Sequence, residues 1–450
     1  MSSNTDLLEQ LSSFSSDARA ESLRELLAAH PTPAKQQTDW LNMHMHTFFS
    51  FNGEGWSPSR LAWETREQGL YSMAICDFDV LQGLDEIFAA TDLLQVRAAV
   101  GFESRVFFRE YADQEINSPG EPGVFYFMGM GFTAPPKPGS KGADVLADML
   151  ARSHARNRAL IGRINAALED MTLDYDQDVI PLTPEENATE RHIVRAYYDK
   201  SLATFGDGAA AFWASKLGLD PADTAEKIGD VNAFNDLLRS KLMKKGGAGY
   251  AQPDENTFPL LDDVIGMIQE CRAIPMSAWL DGTRAGESNP VEQLECLKAK
   301  GVVAVNIIPD RNWNVKDAET ATKLVRELNR YIAAAKSFDM PINIGTELNK
   351  PGQRFVDDFS ADALKPYHQD FLEGAQVMVG HTRLLRWADY SYIDQAAEDD
   401  YPMRSARNEF FASVGALPGP DTETLAKLND LGPEKALSYL RSSASHGEWR

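Results

Sequence analysis

Hydrophobic positions along the chain switch repeatedly between a strand rhythm and a helical one. Short apolar runs over 40–45, 71–76, 98–108 and 124–132 read as strands, and three more follow over 274–280, 302–308 and 341–344. Between them, apolar residues recur every three or four positions. Ser57-Pro58-Ser59-Arg60-Leu61 opens one such helix, with Ser57 as N-cap and Pro58 in the first turn, and Gly69 closes it. Strands that alternate with helices and are apolar on both faces belong to a parallel sheet covered on both sides, closed or nearly closed into a barrel.

The rhythm is interrupted. Residues 141–170 and 187–242 are helical in pattern and split the fourth run from the fifth, as an inserted cap would. Leu7, Leu8, Leu11, Leu23, Leu26 and Leu27 mark a helical arm before Pro31, and the chain beyond Asp357 is mostly helical, with Pro and Asp turns over 417–421. The expected division is an arm (1–38), a first barrel part (39–140), a cap (141–260), a second barrel part (261–357) and a C-terminal extension (358–450).

Composition narrows the function classes. A 450-residue chain that is 43% hydrophobic can bury a large core, while a formal charge of −23 opposes broad attraction to duplex nucleic acid or an anionic membrane. A small anionic substrate held by a metal or by one or two arginines remains compatible. Cys76, Cys271 and Cys296 are too widely spaced for a disulfide framework or a zinc knuckle and fit a reducing cytoplasm. The first thirty residues lack a secretory leader, and no run approaches the roughly 18 apolar residues of a membrane span. These features predict a cytoplasmic chain, and Asn187-Ala188-Thr189 is then a chance match to a glycosylation pattern.

Candidate chemistry collects at the strand ends, where parallel barrels place their active sites. His44 and His46, two apart on one strand, project from the same face. Core or surface histidines commonly show this spacing, and a lone Asp or Glu at a strand end is usually a cap. Here the following strands end in Asp77 and Asp79, in Glu103, and in Glu347 and Asn349, all metal-ligand chemistries. Gly129-Met130-Gly131 precedes Pro135-Pro136, which bars a dinucleotide-binding helix, and no Gly-x-Ser-x-Gly elbow occurs.

Five segments, in order, resemble motifs of the polymerase-and-histidinol-phosphatase (PHP) superfamily of metal-dependent phosphoesterases. Asn42-Met43-His44-Met45-His46-Thr47-Phe48-Phe49-Ser50 is similar to its Asp-x-His-x-His-Thr-x-x-Ser motif, and Cys76-Asp77-Phe78-Asp79 followed by Gly83-Leu84 to its Thr-Asp-His-Asp motif. Gly101-Phe102-Glu103 resembles the segment with the bridging glutamate, Thr189-Glu190-Arg191-His192-Ile193 the cap segment that brings a further ligand, and Gly345-Thr346-Glu347-Leu348-Asn349 the Gly-Ser-Asp-x-His motif. The resemblance implies a distorted parallel (β/α)7 barrel with an inserted helical subdomain and a helical C-terminal extension.

The departures are as specific as the matches. Phe78, Ala278 (in Ser277-Ala278-Trp279) and Asn349 stand where the family has histidine ligands, so at least one of its usual ion sites is crippled. The resemblance leaves His44, His46, Glu103 and Glu347 as the main ligand set, with His192 and Asn349 as further candidates, for Zn, Mn or Fe. Asp77 or Asp79 would accept a proton or orient a ligand, and Arg191, Arg105 and Arg354 are candidates to clamp phosphate. Three readings follow: a phosphoesterase acting on a small phosphorylated molecule, a non-catalytic barrel with a structural or ligand-binding metal or none, and a metal-dependent amide or ester hydrolase.

Overall fold

The computed structural model describes residues 4–450; residues 1–3, the start of the expected arm, lie outside the described residues. Helices α1 (Asn4–Gln10) and α2 (Ser16–Ala29) lead into a sheet of seven strands, each overlapping one of the seven apolar runs. These are β1 (Asn42–Met45), β2 (Ser72–Phe78), β3 (Arg97–Phe107), β4 (Val124–Met130), β5 (Ile274–Trp279), β6 (Ala304–Ile307) and β7 (Ile342–Ile344), and they neighbour one another in chain order. A parallel bridge between Met45 and Glu347 joins the last strand's continuation to the first. The sheet is therefore a nearly closed barrel.

Helices α3 (Pro58–Glu67) and α4 (Leu84–Leu94) provide the first crossovers, and the Ser57 hydroxyl caps α3 by accepting from Arg60 N–H. After the cap, α10 (Leu261–Glu270), α11 (Pro290–Ala299), the single turn α12 (Asp310–Trp313) and α13 (Ala318–Ser337) resume the alternation. One strand departs from the all-parallel expectation. β4 runs antiparallel to both β3 and β5, because residues 108–123 turn straight back through Gly123 (φ +76°) rather than crossing over in a helix. Its Gly129 and Met130 consequently pair with Phe102 and Gly101 of β3, beside Glu103.

Helices α5 (Lys141–Leu168), α6 (Glu190–Phe205), α7 (Ala209–Leu217), α8 (Pro221–Lys227) and α9 (Val231–Met243) lie between β4 and β5 and enclose their own apolar core around Trp213, Tyr197 and Phe234. The buried Asn187 side chain ties this block to the barrel, donating to the carbonyls of Phe49 (2.9 Å) and Phe78 (2.8 Å). Its amide is thus engaged inside the fold.

After β7, α14 (His368–Ala388), α15 (Gln395–Asp400), α16 (Arg404–Ala416), α17 (Thr422–Asp430) and α18 (Pro433–His446) complete the chain, and α14 packs on β7 and β3. α14 and α16 cross at backbone contact: a Cβ on Gly380 would stand 1.8 Å from the Phe411 carbonyl oxygen, and one on Gly415 1.8 Å from that of Gln376. His381 sits in this core, where Nε2 meets the Gly131 carbonyl and Nδ1 accepts from Tyr392 N–H.

Two outcomes test this packing. Gly380→Ala is expected to destabilise the chain by roughly 3 kcal/mol, the upper end of overpacking costs, in urea denaturation; an unchanged midpoint would show that the helices can separate freely. Asp357 is buried with neither carboxylate oxygen hydrogen-bonded, and burial, then the Asp310 charge, pushes its carboxyl up to about 8. The folded chain keeps a proton that the unfolded chain releases near pH 4, so this residue makes stability fall as pH rises from about 4 to about 8. Asp357→Asn should flatten that part of the melting-temperature profile.

Candidate metal centre

β1 is too short to bury its polar residues by itself, and the barrel buries them for it. His44 and His46 are fully buried and Glu103, on β3, nearly so. Glu103 Oε2 lies 3.4 Å from His44 Nε2 and 3.1 Å from His46 Nε2, yet all three atoms lack a hydrogen-bond partner. They point at a common space more than at one another. Ligand atoms from these three residues all fall within 4.8 Å of each other, a grouping that can hold a metal ion. Two imidazoles and a carboxylate with an open fourth position suit one ion of the Zn, Mn or Fe type, so the residues present fit a single divalent ion.

The electrostatics agree. Against the cost of burial, His44 and His46 hold the Glu103 carboxyl well below the usual carboxylate range, at about 2. Burial works against charge on His46 as well, but Glu103, with Asp77 and Glu347 beyond it, raises its pKa.

Each imidazole is fixed from behind. Asp77 does not face the open space: Oδ1 accepts from Thr47 N–H (2.7 Å) and the Ser50 hydroxyl (2.6 Å), and Oδ2 accepts from the Thr47 hydroxyl (2.7 Å). Having given its proton to Asp77, the Ser50 oxygen accepts from His46 Nδ1 at 3.1 Å, which leaves the lone pair of the neutral ring on Nε2. Of the two roles expected for Asp77, orienting a ligand is the one this geometry provides.

His44 is held differently. Asn343 Nδ2 donates to the Met43 carbonyl and to Asn306 Oδ1, both at 2.9 Å, and Asn306 Nδ2 therefore faces His44 Nδ1 at 3.1 Å. This amide chain sets the proton of a neutral His44 on Nε2. For Nε2 to ligate an ion, the proton must move to Nδ1 and the Asn306 amide must turn over, losing its bond from Asn343.

The other expected residues divide. Glu347 and its neighbour Leu348 adopt left-handed backbone (φ +67° and +53°), held where His46 N–H donates to the Glu347 carbonyl (2.7 Å) and Glu347 N–H to that of His44 (2.8 Å). Its carboxylate reaches the mouth, but Arg311 Nη2 stands 2.6 Å from Oε2. Asn349 lines the same space and adds only a neutral amide. His192 is not among the converging ligand atoms; its Nδ1 accepts from Thr189 N–H as part of a capping box, its ring meets Phe51 edge-on, and burial pushes its pKa down to about 4. Phe78 stacks on His46 with ring centroids 4.3 Å apart.

Phe78, Glu103, Glu347 and Asn349 line a cavity of about 800 Å³ between barrel mouth and cap. Asp79, Arg105 and Arg191 line it, whereas Arg354 lies outside, over the Trp313 ring and near Asp310 and Asp358. Asp79 has left-handed backbone (φ +61°) and accepts from the Ser104 hydroxyl at 2.5 Å; burial raises its pKa against the pull of Arg156, Ser104 and Arg105. Arg191 is paired with Asp236. Sequence reasoning missed Arg311, Arg156 and Asn306. Arg311 follows the end of β6, so its place beyond a strand end is a signal the sequence carries; Asn306 and Arg156 carry no such signal.

The detuning of His44 gives a direct test. Asn306→Asp supplies a carboxylate that can accept from Nδ1–H of His44 and from Asn343 together, so Mn or Zn affinity in calorimetric titration should rise about tenfold, the scale of outer-shell effects on metal affinity. Asp77→Ala should lower it by a similar factor. An Asn306→Asp chain that binds the ion no better would remove the role given to the amide chain.

No protein-family model matches the chain, and no curated protein matches it in sequence. Among solved structures, it is similar to an amidohydrolase from Chromobacterium violaceum with bound SO4 and no metal, at 15% identity and a TM-score of 0.49 over 74% of this chain and 96% of that one. It is also similar to a protein from Bifidobacterium adolescentis described as a putative metal-dependent phosphoesterase, at 17% identity and a TM-score of 0.46 over 75% of this chain and 98% of that one.

Proposed function

We propose that the protein is a metal-dependent hydrolase of the phosphoesterase type, acting on a small phosphorylated molecule at the barrel mouth beneath the cap. The observation that carries this reading is the juxtaposition of a buried three-donor centre with a cation-rich cavity in an acidic chain. Arg105, Arg156, Arg163, Arg191, Arg239, Lys244, Lys245 and Arg311 line the cavity against Asp79, Glu103, Glu121, Glu190 and Glu347, so its lining carries a formal excess of positive charge while the whole chain carries −23. A positive cleft on a negative protein concentrates small anions and turns polyanions away.

Arg105 and Arg156 show how strongly the cavity is biased. Both guanidiniums lie 4.5 Å from the centroid of the Phe258 ring. Burial, then the like charge of Arg105, pulls Arg156 down to about 10, and the Arg156 guanidinium hydrogen-bonds the Thr257 carbonyl. Two neighbouring cations held in this way favour an incoming anion that neutralises them together. Arg105, which lines the cavity and is more exposed than Arg191, would hold substrate oxygens; Arg191, already neutralised by Asp236, would shape the cap side.

A divalent ion at His44, His46 and Glu103 would supply Lewis-acid polarisation of a phosphoryl oxygen and acidification of water. Asp79, whose carboxyl burial makes a better proton holder than a free aspartate, would take up and return a proton at the cavity wall. Glu103 and the two imidazoles would fix the position of the reacting group, and the cap would exclude bulk water.

Purified chain loaded with Mn, Fe or Zn is expected to retain one ion and to hydrolyse members of a panel of phosphate monoesters and diesters. His44→Ala with His46→Ala should abolish ion retention and lower turnover by at least about 100-fold, and Arg105→Ala should raise KM roughly tenfold. Less than one ion per chain, together with no effect of the double substitution, would leave the non-catalytic barrel as the reading. Cleavage of simple amides or esters in place of phosphoesters would transfer the activity to that bond.

A further inference from the structure

Glu347 brings a second carboxylate to the mouth, but its charge is already met. β6 ends at Ile307 and passes through Ile308 and Pro309 into α12, so Arg311 is delivered to the rim beside the continuation of β7 that carries Glu347. Arg311 Nη2 lies 2.6 Å from Glu347 Oε2. The Glu347 side chain is only 6% exposed and that of Arg311 45%, so the guanidinium is the accessible half of the pair. Both line the cavity with Glu103.

The surroundings of this pair offer little to another metal. Phe78 has no donor, and its ring covers His46. Asn349 is neutral, and one carboxylate oxygen of Glu347 is already committed to Arg311. A guanidinium, by contrast, carries five N–H donors in a planar fork, and the bond to Glu347 leaves the rest for oxygens of a bound anion.

We propose that Arg311 is the second cation of the barrel mouth: the centre takes one divalent ion, and the guanidinium, braced by Glu347, grips the tetrahedral oxyanion presented to that ion. The assignment rests on the metal-centre reading above and gives the mouth a charge pattern of one ion and one arginine. A guanidinium neutralises and orients phosphoryl oxygens but leaves the acidification of water to the ion. The ligand class that fits is a terminal phosphate or a similar oxyanion.

The test uses the full chain, Mn titrated with spectroscopic counting of bound ion, and inorganic phosphate titrated by calorimetry at saturating Mn. Wild type should hold one Mn and bind phosphate. Arg311→Ala should weaken phosphate roughly 10- to 100-fold, the range for a lost hydrogen bond to a charged group, and Arg311→Lys should restore only part of it, because the fork is gone. With Glu347 released, Arg311→Ala should also take up a second, weaker Mn. Two ions in wild type, or phosphate affinity indifferent to Arg311→Ala, would overturn the proposal. If wild type holds no ion while Arg311→Ala still weakens phosphate, the arginine's grip on the anion survives and both the one-ion pattern and the metal-centre reading fail; if neither effect is seen, both readings fall.

Discussion

Closure of the barrel between its first and last strands is the constraint on which the site depends. Two short backbone bonds make it, His46 N–H to the Glu347 carbonyl and Glu347 N–H to the His44 carbonyl. The same residues that close the sheet thus carry the candidate ligands. Glu347 and Leu348 pay for this with left-handed backbone, a conformation costing on the order of 1–3 kcal/mol per residue that persists only where its surroundings over-determine it. Asn42 reinforces the seam by donating to the Thr346 hydroxyl and the Phe355 carbonyl. Opening that seam would separate the acidic mouth from the histidines.

Around the seam, polar groups are buried in pairs that leave little slack. Asp77 accepts three hydrogen bonds from the Thr47–Ser50 turn, and through Ser50 it aims His46. The amide chain from Met43 through Asn343 and Asn306 aims His44 with the opposite polarity. One imidazole is therefore ready to ligate through Nε2, while the other must exchange its proton and turn an amide to do so. Phe78 stacks on the His46 ring, and Arg311 sets a fixed positive charge against Glu347.

Charge acts on two scales. Over the whole chain the acidic excess repels polyanions, and inside the cavity arginines and lysines reverse the sign locally. The cap supplies much of that reversal, from α5, α6 and α9, and Asn187 fixes the cap to the carbonyls beside His46 and Asp79. Cap and barrel each have an apolar core of their own. At the mouth, the Asn187 hydrogen bonds join the two.

The sequence by itself determined where the strands lie, because seven apolar runs are long enough to be buried and short enough to be strands. It also brought forward His44, His46 and Glu103, since residue type and strand-end position are local properties. It could not give the direction of β4, which follows from how residues 108–123 turn, nor the retreat of His192 into a helix cap. The orientation of Asp77, the amide chain behind His44 and the pairing of Arg311 with Glu347 were likewise decided only in three dimensions. Asp77 lies 30 residues from Thr47, Asn306 262 from His44 and Arg311 36 from Glu347, and it is the barrel that makes them neighbours. A sequence displays which donors and charges a chain owns; which of them are spent on one another, and which are left for a ligand, depends on distances that only the folded chain sets.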